Sequence, residues 1–209
     1  MIRDMNPELV ERQAQLALWL LVHAPQHTAL TDLKDYLRTD EETLRHDLNL
    51  VSSYLYPYKI VVDPTDDQKV GAVGQESNII RAVLDLLNAA AVTGQFTTHF
   101  SITDSELEPY FTDRIEALTA VMTVPADAKQ KLYNYLWTVG MRYRFGHVKR
   151  PALASYFTPA QLALISEQKE SHPWSQQTID GLDKLLPENV ELPIIEDYLL
   201  TLRVWLYTH

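Results

Sequence analysis

Apolar residues recur every three or four positions along most of the chain, and the pattern changes only between residues 59 and 73. That contrast constrains the fold more than any other feature. It calls for a mainly α protein with one small β element in its amino-terminal third. Leu9, Val10, Leu16, Ala17, Leu20 and Leu21 line one face of a first helix, with Pro7 near its start and Pro25 ending it. A second helix is expected from about Leu30 to Leu37, with Leu33, Tyr36 and Leu37 inward. After the polar break Arg38-Thr39-Asp40, a third is expected from Glu41 to Tyr54, with Leu44, Leu48, Val51 and Leu55 on its apolar side. Thr39 with Glu42 has the form of a capping box, and Asp40 is a rival N-cap. Two β-rich runs, Lys59 to Asp63 and Lys69 to Val73, flank the turn cluster Pro64-Thr65-Asp66-Asp67 and read as a hairpin. Three helices followed by a hairpin form a winged helix-turn-helix. The remainder reads as helices at 76–93, 104–122, 126–146, 159–170, 175–184 and 192–208. The expected division is a winged helix-turn-helix domain over 1–74 and a helical domain over 75–209.

Chemistry is excluded by what the chain lacks. It has no cysteine, so a disulfide scaffold, a thiolate zinc site and a cysteine nucleophile are ruled out. No glycine-rich phosphate cradle and no nucleophile elbow occur. His23 and His27 have metal-ligand spacing, but Pro25 between them breaks the helix that the pair would need. No enzyme, cofactor or metal is expected. The segment Met1 to Gln13 is polar and acidic, unlike a signal peptide, and the run LALWLLVHA is too short to span a bilayer. The expectation is a soluble cytoplasmic protein with no membrane partner.

The net charge is −10, unusual for a nucleic-acid binder, but it is unevenly spread. Between Ala128 and Arg150 lie Lys129, Lys131, Arg142, Arg144, Lys149 and Arg150, with no Asp or Glu. This stretch reads as a helix with a solvated basic face. With Tyr133, Tyr135 and Trp137 beside it, RNA binding is a rival reading. Aromatics at such spacing, and those of Tyr54-Leu55-Tyr56-Pro57-Tyr58, are more simply core or interface.

The stretch LTDLKDYLRTDEETLRHDLNLVSSYL, then YKIVVD, then VGAVGQESNIIRAVLDLL, resembles the winged helix-turn-helix of Mga-type and PTS-regulation-domain transcription regulators, relatives of the BglG antiterminators. Gly74, Glu76, Ile80 and Arg81 match the way such regulators leave the wing. Leu136, Arg142 and Gly146, then Leu192, Pro193 and Glu196, resemble two helices of a PTS regulation domain. The resemblance spans nearly the whole chain. It implies a DNA-binding transcription regulator of a sugar-related or virulence-type operon, with a helical regulation-like domain that forms a homodimer. The family's phosphorylated histidines fall here at Tyr135 and Arg203, so control by phosphotransfer proteins is not implied.

On this reading the third helix enters DNA, with Lys34, Thr43, Arg45, His46, Asn49 and Lys59 as contacts. Arg45 suits guanine or phosphate and Asn49 suits adenine. Asp47 sits where the family has a structural Asp. Residues 1–73 carry seven Lys or Arg against twelve Asp or Glu, which opposes phosphate binding. The rival from another class is therefore an interaction module that forms mixed dimers with a related regulator and binds no DNA.

Overall fold

The computed structural model describes residues 7–65, 68–93, 105–121, 126–146, 160 and 173–185. The chain is mainly helical, and the described residues hold one small three-stranded sheet. It divides into two compact units, Met1–Ile102 with Phe145–His147, and Thr103–Arg144 with Val148–His209.

In the first unit the order is α1 (Pro7–His23), β1 (His27–Ala29), α2 (Leu30–Leu37), α3 (Glu41–Leu55), a 3-10 turn (Tyr56–Tyr58), β2 (Val61–Pro64), β3 (Lys69–Val73) and α4 (Glu76–Thr93). Helix α1 is its centre. Leu16, Ala17, Leu18, Leu20, Leu21 and Val22 are all buried, so it is apolar well beyond one stripe. A helix buried on several sides needs cover from several elements. Helices α2, α3 and α4 and strand β3 all pack on it. This is why the compact division falls after residue 102 and not near residue 74: α4 sends Ile79, Ile80, Ala82 and Val83 into the same core.

The sheet is antiparallel in the order β1-β3-β2. The hairpin expected from the sequence is present, but its first strand starts at Val61, because the 3-10 turn occupies 56–58 and Lys59 takes a left-handed conformation (φ 58°). Strand β1 has no counterpart in the sequence reading; three residues are too few to show alternation. It pairs with β3 through His27 opposite Gly71 and Ala29 opposite Lys69. Gly71 is required there, since a Cβ would lie 2.8 Å from the Gln26 carbonyl and 3.1 Å from the His27 ring. Trp19 Nε1 donates to Thr28 Oγ1 at 3.1 Å, which ties the strand to α1. The Leu30 N–H, otherwise unpaired at the start of α2, donates to the Gln68 carbonyl.

The second unit contains α5 (Leu107–Val121), most of α6 (Ala126–Phe145) and α7 (Pro173–Leu185). Its buried side chains include Leu107, Phe111, Leu118, Leu132, Leu136, Trp137, Met141, Trp174 and Leu182. Helices α5 and α7 are stitched by polar bonds: Trp174 Nε1 donates to the Arg114 carbonyl at 2.6 Å, and Arg114 Nε donates to Thr178 Oγ1 at 3.1 Å. The expected helices at 159–170 and 192–208, like Lys149, Arg150 and Arg203, lie outside the described residues, apart from helical Ala160.

Candidate nucleic-acid interface

Helix α3 begins where chemistry dictates. Asp40 is extended and accepts from the Thr43 N–H at 2.8 Å, so it is the N-cap. The Thr43 hydroxyl donates to the same carboxylate at 3.0 Å. These bonds hold the Asp40 carboxyl below the usual carboxylate range.

Along α3, Leu44, Asp47, Val51 and Leu55 face the core. Asp47 is fully buried and answered from α1: Arg12 Nε lies 2.5 Å from one of its oxygens, while Arg12 Nη2 (3.4 Å) and Gln13 Nε2 (3.2 Å) reach the other. A buried carboxylate needs such donors. The bonds also fix the roll of α3 about its axis, and so decide which side stays in water.

The opposite flank carries Glu42, His46, Asn49 and Ser53, all exposed. One step round, Arg45, Leu48, Asn49 and Ser52 join Val62, Pro64 and Val70 of the hairpin in lining a cleft of about 330 Å³. Leu48, expected in the core, is half-buried on this wall.

Of the expected DNA contacts, Arg45, His46 and Asn49 are together on the exposed side of α3. Thr43 is half-buried and committed to the cap. Lys34, on α2, is half-buried and near enough to Glu41 to favour its charged form. Lys59 is exposed beyond the other end of α3, a helix about 20 Å long. Arg45 is engaged rather than loose: its Nε (3.2 Å) and Nη2 (2.8 Å) both donate to Glu41 Oε1. That pairing, with Lys34 adding a smaller pull, holds Glu41 below its ordinary range.

Among the described residues the basic stretch is only in part the solvated face the sequence implied. Arg142 is fully buried in α6. Arg144 donates to the Leu185 carbonyl at the end of α7 (2.9 Å) and to Glu106 (3.3 Å), which is a cation serving a helix C-terminus. Lys129 and Lys131 are exposed. Asn134, Tyr135 and Trp137 are buried, so this aromatic run belongs to a core. Tyr135 is one of the two places at which the resemblance sought a phosphorylated histidine. At the end of α3, Tyr58 donates to Asp85 at 2.8 Å and lies under Arg81, while Tyr56 is 80% exposed. Burial, then bonding to Tyr54 and Asp85, pushes the Tyr58 hydroxyl well above its ordinary pKa.

His23 stacks on Trp19, and His27 lies 3.2 Å from Asp63. Among the described residues no group of three metal-ligating side chains converges, and no helix is long and apolar enough to cross a membrane. Comparison of the chain with protein-family models, curated proteins and solved structures found no match.

Proposed function

We propose that the first unit is a winged helix-turn-helix that lays α3 in the major groove of duplex DNA, and that the protein is a non-enzymatic transcription regulator. The observation that carries this reading is the division of α3: one side is buried and pinned by Asp47, and the other offers Arg45, His46 and Asn49 beside a hairpin. The element order α1-β1-α2-α3-β2-β3, with β3 central in the sheet, supports it. A helix about 10–12 Å across fits a major groove about 12 Å wide. The likeness of the sequence to Mga-type and PTS-regulation-domain regulators points the same way and suggests a sugar-related or virulence-type operon. In this reading the second unit pairs two copies without phosphohistidine control, and the protein works in the cytoplasm. Fluorescence anisotropy with a pool of random duplexes, read at several salt concentrations, tests it. Binding that weakens as salt rises is expected; no binding at low salt contradicts it.

A second reading is favoured by one observation. Asp40, Glu41 and Glu42 are exposed at the start of α3, and Arg45 is already paired. A surface of this charge suits a protein partner better than phosphate, as in a module that forms mixed dimers with a related regulator. Co-purification with such a regulator without DNA retention distinguishes it. The RNA reading has less support, because Arg142 is buried and Arg144 bonds to the end of α7, although Lys129 and Lys131 are exposed.

A further inference from the structure

The acidic start of α3 looks like an obstacle to DNA binding, but its geometry points to a different role. We infer that Glu41 is a positioning residue for Arg45: it holds the guanidinium by one edge and aims the remaining N–H groups at the major-groove edge of a guanine. The inference rests on the reading above that α3 faces duplex DNA.

A guanidinium has five N–H groups. In the structure Nε and Nη2 spend one each on the same oxygen, Glu41 Oε1. Both N–H groups of Nη1 and the outer one of Nη2 are not used in that pair. Of these, the outer N–H of Nη1 and the outer N–H of Nη2 form a fork of the width that N7 and O6 of guanine accept. Glu41 lies four residues before Arg45, the favoured direction for such a pair on a helix. Its own backbone is fixed, because Asp40 caps the turn in which it sits.

Charge explains why the pairing matters. A free arginine is drawn to the nearest phosphate, which carries no sequence information. Paired with a carboxylate, Arg45 has little net attraction for phosphate, yet keeps the donors that a base edge needs. In water the exposed pair is weak. Docking in a groove strips that water and strengthens it. The arrangement exchanges overall affinity for discrimination. Asn49, one turn further on the same wall of the cleft, lies beside Arg45 for a neighbouring base pair.

The test uses the full chain and a duplex enriched by it from a pool with a randomised core. Each guanine of that duplex is replaced in turn by 7-deazaguanine, which lacks the N7 acceptor. The wild-type chain should lose about tenfold in affinity at one such position. Arg45→Ala should bind more weakly and be indifferent to that replacement. Glu41→Gln and Glu41→Ala, with helicity checked by circular dichroism, should bind unrelated duplexes more tightly. Their salt dependence should steepen by about one released counterion, and most of the sensitivity to 7-deazaguanine should go. A merely structural role for Glu41 would weaken all duplexes alike and leave the discrimination intact; that result overturns the inference while the DNA-binding reading stands. Failure of the wild-type chain to retain any duplex at low salt overturns the DNA-binding reading itself, and this inference with it.

Discussion

Asp47 shows how one side chain can set the orientation of a whole helix. Its carboxylate is out of water, and its donors come from Arg12 and Gln13 on another helix. Removing the arginine leaves a buried charge short of partners. Arg12→Ala should therefore lower stability by about 2 kcal/mol in urea denaturation, and Arg12→Lys should recover only part of that, since it lacks the fork. Gly140 meets a packing limit instead: a Cβ there would sit 2.6 Å from Phe111 Cζ. Gly140→Ala should cost about 2 kcal/mol in the same assay, because the ring has to shift. Little of this was legible in the sequence. Asp47 could be marked as structural by resemblance, but its partner lies 35 residues away, and nothing local announces a contact of that range. Glu41 with Arg45 was different, since a spacing of four on a helix is readable. Arg142 shows the opposite failure: a charge counted as solvated is buried, because the sequence gives the residue type but not the face of α6 that meets the core.

At the scale of elements, α3 depends on its cap. Asp40→Ala should shorten the helix and lower the denaturation midpoint, with Asp40→Asn milder. The Asp40 and Glu41 carboxyls both lie below their ordinary values. A carboxyl depressed by folding adds stability above its unfolded pKa of about 4, and that stability is lost as pH falls through the folded value. Acid denaturation of Asp40→Ala should accordingly show a smaller drop below pH 4 than the wild-type chain. The helices α2 and α4 follow their apolar spacing closely, and the Asp40 cap settles where α3 begins. Strand β1 and the inclusion of α4 in the first unit were not legible, since both arise from pairing and packing across the chain.

On the scale of the whole molecule, charge and burial pull in different directions. Tyr58, Tyr110 and Tyr133 are all held above the ordinary tyrosine pKa, each chiefly by burial. A group whose pKa is raised by folding lends stability that is complete below its unfolded value, about pH 10, and is lost as pH rises through the folded value. Denaturant midpoints should thus hold up to about pH 10 and fall beyond it, while tyrosine absorbance titrates late and cooperatively with unfolding. With a net charge of −10, DNA contact in the proposed function falls to one flank of α3, where Arg45, His46 and Asn49 are exposed. Photo-crosslinking tests that assignment most directly. Benzoylphenylalanine placed at His46 on α3 should crosslink the full chain to duplex DNA, and the same group at exposed Lys129 on α6 should not. Crosslinks from position 129 with none from position 46, or none from either, would overturn DNA contact through α3.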